Sequence, residues 1–376
     1  MRKITSFVFT FFLLSFNFFA AGADIFGEQS VKEYRKAVEA FDEQDYGKAL
    51  KYSENAILYR RQHIEKQIDV LKKSLSSKKV QMAGDSISSI LKILENRKEK
   101  ETISIINSYL KKKGNDYFNN SLQNLLDYMN ASKVYPEAHK IIGDIYKLEG
   151  EYTFAEQYYN LALENSAVLD IPDEKYEILY MLADISRLKN DKEKMEIRLL
   201  NILTEDKNFK DKALKNAMQF VIKSEKDDSM AKFFNLYRAD SYNSIDAYNQ
   251  LAKYYYDEGA LDKAIDFASL SVITSLTKTI EILQFRNSEY SYKDLETFFQ
   301  EVSFYDDIIE WGNKYGVWQS FNIFALYAEK AGYKKFSRNL LKVLVQYMPD
   351  EYWQKNAVLI MSQIDKIKIN RKVQFR

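Results

Sequence analysis

Apolar and polar positions recur at helical spacing along most of the chain, and the arrangement repeats. The clearest stretch runs Ala138-His139-Lys140-Ile141-Ile142-Gly143-Asp144-Ile145-Tyr146, then Gly150-Glu151-Tyr152, then Ala155, Tyr159 and Ala162. Apolar residues three and four apart share one face of a helix. A Gly between two such runs turns the chain. The spacing therefore predicts two antiparallel helices, with small residues where their backbones come closest and Tyr159 filling the remaining gap.

The arrangement returns at an offset of 34 residues. Tyr152, Ala155, Tyr159 and Ala162 have counterparts in Phe118, Ser121, Leu125 and Tyr128, after the turn Gly114-Asn115-Asp116. A second register pairs Ala252, Tyr255, Ala264, Ala268 and Ser271, with the turn Glu258-Gly259, to Met218, Val221, Met230, Phe234 and Tyr237. Weaker units begin at Ala37 (turn Asp45-Tyr46), Ala183 (turn Asn190-Asp191) and Ala325 (turn Gly332-Tyr333). Degenerate hairpins are expected around Leu75 with Ile87, and around Leu283 with Leu295. A short insertion is expected at Val168 to Glu174, where Pro172 sits.

These residues resemble the tetratricopeptide repeat, a 34-residue helical hairpin, over most of Val31 to Pro349. The resemblance implies an all-α, right-handed superhelical solenoid that mediates protein–protein contacts. The organisation then reads as a leader (1–23), a first hairpin (24–59) and a basic helical segment with a degenerate repeat (60–113). A central array (114–275), a second degenerate repeat (276–317) and a last hairpin (318–349) follow. A capping helix with a polar outer face and a basic tail (350–376) close the chain.

Composition supports helices. Of 376 residues, 11 are Gly and 3 are Pro, about 4% against an average of roughly 12%. Sandwiches, propellers and doubly wound sheets need more of both in their turns. Hydrophobic residues make up 46% and aromatics 15%, which excludes low-complexity disorder.

Met1-Arg2-Lys3, the apolar run Ile4 to Phe19 and the small residues Ala21 and Ala23 read as a secretory leader cut after Ala23. The apolar run is shorter than the roughly 20 residues that span a bilayer. No Cys follows it, so the chain is not a lipoprotein. The Lys-, Asn-, Ile- and Tyr-rich composition suggests an AT-rich bacterial genome, so export points to the periplasm.

Candidate chemistry is sparse. With no Cys and only His63 and His139, thiol nucleophiles are absent and metal sites are few in kind. No H-E-x-x-H, G-x-S-x-G, P-loop or G-x-G-x-x-G occurs. His139 falls on the packing side of a helix, and His63 on a charged one that should leave it solvated. Trp311 and Trp318 read as core. No cofactor is expected, and the chain reads as a non-enzyme.

Charge is unevenly placed. Residues 60–113 carry 14 basic and six acidic side chains, a net +8, within a chain of net +1. The segment reads as a solvated face or as a contact for an anionic membrane surface. Tyr109 is its one aromatic residue, which argues against stacking on nucleic acid.

In tetratricopeptide arrays the first helices line a groove that holds a peptide. By that resemblance the groove positions are Lys140, Asp144 and Lys147; Tyr180, Asp184 and Arg187; Lys215, Gln219 and Lys223; and Asn249, Lys253 and Tyr256. Several basic residues would then face one channel suited to an acidic or carboxylate-bearing peptide. The expectation is a periplasmic scaffold for a protein or peptide of the cell envelope, in a secretion, outer-membrane or flagellar assembly. The alternatives are a binding module for an envelope ligand such as peptidoglycan, or a hydrolase with unrecognised carboxylates.

Overall fold

The structure, a computed structural model, describes residues 25–76, 86–237 and 242–374, with side chains from 27 to 365 within those ranges except at 242. The expected leader lies outside the described residues, as do residues 77–85 of the hairpin expected near Leu75 and Ile87. The chain is all-α. Among the described residues there is no strand, and a single antiparallel bridge joins Ser86 to Ser121. It divides into two compact units, one ending at Pro172 and the other beginning at Asp173. The division falls within the segment where the sequence places an insertion.

The first unit holds α1 (Ile25–Asp42), α2 (Tyr46–Ser76), α3 (Ile87–Asn96), α4 (Lys100–Lys113), α5 (Leu122–Ala131), α6 (Pro136–Leu148) and α7 (Tyr152–Glu164). At 31 residues, α2 crosses the sequence boundary expected at residue 59 without a break. It serves two cores. Its first half packs on α1 and α6 through Ala49, Ala56 and Ile57. Its second half, through Ile64, Ile68, Leu71 and Leu75, packs on α3, α4 and α5. Most of the basic segment is therefore the outside of a small helical core. Gly114 ends α4 at φ 86°, but a short 3-10 turn (Asp116–Phe118) and the left-handed Asn119 and Asn120 follow it. Ser121 then caps α5 instead of packing inside a helix, so the expected turn at Gly114 is not a tight hairpin.

The second unit holds α8 (Glu174–Leu188), α9 (Lys192–Ile202), α10 (Lys207–Lys210), α11 (Lys212–Lys223), α12 (Ser229–Phe234), α13 (Ile245–Asp257), α14 (Leu261–Arg286), α15 (Leu295–Val302), α16 (Asp306–Lys314), α17 (Val317–Lys330), α18 (Lys334–Tyr347) and α19 (Glu351–Gln374). One continuous core runs through them. At its centre is α14, which continues 11 residues past the boundary expected at 275. Three of its buried hydroxyls bond back within the helix: Ser269 donates to Ile265 O (2.6 Å), Thr277 to Ile273 O (2.8 Å) and Thr279 to Ser275 O (2.8 Å). This back-bonding lets a polar-looking run lie inside the core.

One turn recurs in six hairpins, α1/α2, α3/α4, α6/α7, α8/α9, α13/α14 and α17/α18. A residue at positive φ (Gln44, Lys98, Gly150, Asn190, Gly259, Gly332) follows the first helix. The next N–H bonds back five residues: Asp45 to Ala40 O, Glu99 to Leu94 O, Glu151 to Tyr146 O, Asp191 to Ser186 O, Ala260 to Tyr255 O and Tyr333 to Ala328 O, at 2.8–3.1 Å. This is the Schellman closure of a helix end. Seven residues before five of these turns stand Ala37, Gly143, Ala183, Ala252 and Ala325, and the four Ala among them are at most 1% exposed. Five residues after them, Ala49, Ala155, Ala264 and Ser337 are fully buried. Turn and small-residue register thus travel together.

The two tryptophans separate. Trp318 is fully buried and its Nε1 donates to Ile309 O at 2.9 Å, while Trp311 is half-buried against Tyr315. The exposed residues of α19 are mixed: Glu351, Lys355, Gln363 and Asp365 stand beside Tyr352, Val358 and Leu359.

Candidate functional site

The twelve expected groove residues lie on α6, α8, α11 and α13. Their environments differ. On α6, Asp144 accepts from the Tyr159 hydroxyl (2.6 Å) and pairs with Lys140 (3.4 Å), while Lys147 is half-buried. On α8, Arg187 pairs with Asp184. Tyr180 is tied into the fold: its hydroxyl donates to Asn243 O (2.5 Å) and accepts from Ala247 N–H (3.0 Å). Burial first, then the Asp246 carboxylate, holds that phenol well above its usual pKa. On α13, Asn249 is 3% exposed and donates to Gly316 O, Tyr256 stacks on Tyr327 at 4.4 Å, and Lys253 pairs with Asp257 at 2.8 Å. Tyr180, Asn249 and Tyr256 therefore serve packing. Lys140, Arg187 and Lys253 each face an acid on their own helix, which offsets their charge.

Two of the three expected residues on α11, Gln219 and Lys223, line a cleft. They share it with Asp262 and Asp266 on α14, with the buried Ile222 and Ile265, and with Tyr333, the residue before α18. Gln219 donates to Asp266 at 2.6 Å. Lys215 places its ammonium 4.3 Å over the Phe209 ring, a cation–π contact that anchors it beside the cleft. Burial raises the Asp266 pKa, opposed by the Gln219 hydrogen bond and the Lys215 charge; burial lowers that of Lys215. The cleft encloses about 180 Å³, below the roughly 300 Å³ of a small-molecule site. That volume suits one long side chain. The two isoleucines fit its apolar stem and the two carboxylates fit a cationic head.

The sequence marks Tyr333 only as a turn residue and gives no sign of Asp262, Ile265 or Asp266 as site residues. Asp262 and Asp266 stand four apart on the second helix of the cleanest repeat, which places them on one face. What they face is a property of tertiary packing alone.

Both histidines sit against the fold. His63 packs on Gly27, where an added Cβ would lie 3.0 Å from the ring, so the expected solvated histidine is half-buried. His139 lies 5.8 Å from the Tyr158 ring, and burial with the nearby Arg61 charge pushes its pKa down to about 4. In the basic segment, Lys112 pairs with Asp170 (2.5 Å) and Arg60 lies 5.1 Å over the Tyr135 ring. Lys66, Lys72, Lys73, Lys92 and Lys111 are exposed. Among the described residues no group of three or more His, Cys, Asp or Glu is placed to hold a metal ion, and no helix is long and apolar enough to cross a membrane.

No protein-family model matches the chain. An uncharacterized protein of Treponema pallidum (strain Nichols) is 27% identical over 326 residues, covering 86% of this chain and 87% of the relative. The similarity thus spans both units.

Proposed function

We propose that this chain is a non-enzymatic scaffold of tetratricopeptide-like hairpins, exported to the periplasm, where it holds a protein partner within a cell-envelope assembly. The observation that carries the reading is the single turn geometry repeated in six hairpins, with a small residue seven positions before five of the turns and five positions after four of them. Repeated hairpins of this kind stack into extended surfaces and commonly bind other proteins. The cleft between α11 and α14 is the contact point: it takes a Lys or Arg side chain of the partner, with its stem on Ile222 and Ile265 and its head at Asp262 and Asp266.

Crosslinking in intact cells followed by mass spectrometry tests this. Specific envelope proteins should be recovered with the chain, with crosslinks near Lys223. Asp262→Lys with Asp266→Lys should release them. Charge reversal at Lys140, Arg187 and Lys215 should have a smaller effect, because the first two already face acids on their own helices. Recovery of no protein, or co-sedimentation with purified cell wall in the absence of protein partners, would sink the reading.

A further inference from the structure

The last turn of α14 projects beyond the core. Leu283 is its last buried residue, and Gln284, Phe285 and Arg286 follow in the open. Arg286 lays its guanidinium 5.2 Å from the centre of the Tyr305 ring and pairs with the Asp307 carboxylate. That contact fixes the end of α14 beside the turn between α15 and α16. Phe285 and Phe304, the residues before Arg286 and Tyr305, flank the contact and are 93% and 78% exposed. No other large hydrophobic side chain among the described residues is as exposed. Apolar side chains scattered singly on a surface are ordinary. Two bare rings at one place mark an interaction site.

The charge around the rings indicates what covers them. Residues 281–310 carry eight acidic side chains against Arg286 and Lys293, a net −6. Two of the acids are used locally: Asp307 holds Arg286, and Asp294 caps α15 by accepting from the Thr297 N–H at 2.8 Å. Glu289, Asp306 and Glu310 are exposed and join no ion pair among the described residues. Glu289 follows Phe285 by four residues, Asp306 follows Phe304 by two, and Glu310 lies one turn further along α16. This sign repels an anionic membrane or a nucleic acid. A purely apolar partner would leave the carboxylates beneath it desolvated and unpaired. A cationic segment suits rings and carboxylates together. Arginine suits them best, because its planar guanidinium stacks on a ring while its N–H groups bond a carboxylate. Arg286 already does both within the fold.

We propose that this end of the second unit is a docking surface for an arginine-rich segment of another protein, whose guanidinium groups stack on Phe285 and Phe304 and pair with Glu289, Asp306 and Glu310. The surface shares no residue with the α11–α14 cleft. The proposal does not depend on the scaffold reading.

Fluorescence anisotropy of labelled octa-arginine and octa-lysine, titrated with the purified full chain as the cell processes it, tests this. The two peptides carry the same charge and differ in stacking. Octa-arginine should bind about fivefold more tightly, or better. Phe285→Leu with Phe304→Leu keeps the surface apolar and should remove that preference. Phe285→Tyr with Phe304→Tyr should keep it. Glu289→Gln, Asp306→Asn and Glu310→Gln together should weaken both peptides about tenfold. Asp262→Lys with Asp266→Lys, in the cleft, should leave the arginine preference intact, so failure here and failure of the scaffold reading are told apart. The Phe and carboxylate positions are exposed, which lets these variants fold, and an unchanged melting curve verifies it. Equal affinity for the two peptides, or no binding, would overturn the proposal. A preference lost in the tyrosine pair or the cleft variant, or parent-like binding by the leucine pair or the carboxylate variant, would do the same. So would a parent oligomer that the leucine pair dissociates, since the face would then be a contact between copies of this chain.

Discussion

The Tyr159 ring occupies the space that a side chain on Gly143 would need. A Cβ built on Gly143 falls 2.7 Å from two ring carbons, and the Tyr159 hydroxyl is fixed beyond it by a 2.6 Å bond to Asp144. The ring cannot swing away without breaking that bond. Gly143→Ala should therefore destabilise the first unit by about 1–2 kcal/mol, after the intrinsic helical gain of Ala over Gly is counted. Gly47→Ala is the control, since a Cβ there meets nothing closer than Asp45 Oδ1 at 4.0 Å. It should stabilise by about 0.5 kcal/mol. Denaturant titrations of the two variants separate crowding from propensity.

The Gly143 crossing was legible in the sequence because a small residue there, a Gly turn seven positions on and an aromatic at Tyr159 form a local pattern. Gly150, Gly259 and Gly332 were legible as turns for the same reason: each adopts positive φ. Gln44 and Lys98 make the same turn without glycine and carry no such mark. Continuity was harder to read than reversal. Nothing between Tyr46 and Ser76, or between Leu261 and Arg286, separates a helix that stops after one repeat from one that continues into the next core. The groove was the least legible part. Helical spacing placed Lys140, Arg187 and Lys253 on first helices correctly, but their acidic neighbours on the same helices cancel them. The α11–α14 cleft depends on two helices meeting, which no periodicity encodes.

A cap supplied from far along the chain gives a second prediction. Glu225, at φ 50° between α11 and α12, accepts from Lys335 N–H at 2.8 Å and Phe336 N–H at 3.3 Å, in the first turn of α18. A carboxylate there satisfies open donors and complements the helix dipole. Glu225→Ala should cost about 1–2 kcal/mol. Glu225→Gly loses the same bonds but relieves the left-handed backbone, so it should recover about 1 kcal/mol of that loss. Equal losses for the two variants would show that the cap, and not the backbone, sets the cost.

His139 should make the first unit sensitive to acid. Its folded pKa is about 4, against an ordinary value of 6.5, through burial and the Arg61 charge. The folded state therefore binds fewer protons than the unfolded one between these values. Its contribution is fully present above pH 6.5 and is lost as pH falls through about 4. The loss should approach about 2 kcal/mol, allowing for partial solvent access. His139→Gln removes the titration, so its stability should vary less than the parent's between pH 7 and pH 4, in denaturant curves collected along that range.

Asn249 separates the structural account from the groove account most directly. A groove residue should alter partner capture and leave the melting temperature alone. The structure instead places Asn249 in a buried junction: Nδ2 donates to Gly316 O at 3.0 Å, and Oδ1 accepts from the Ser271 hydroxyl at 2.7 Å. Gly316 sits at φ 70°, and a Cβ there would lie 2.9 Å from Asn249 Nδ2, so the amide and the turn before α17 are fitted to one another. Asn249→Leu keeps the branched shape, with somewhat greater bulk, and deletes both bonds. It leaves the Ser271 hydroxyl without its shortest acceptor and the Gly316 carbonyl without its Asn249 donor in a dry core, at a cost of about 2–4 kcal/mol. Ser271→Ala should cost less, about 1 kcal/mol, because Asn249 keeps its bond to Gly316. In the double variant the losses should not add, since both substitutions remove the same bond. A full-strength Asn249→Leu fold with weakened partner capture would return this residue to the groove.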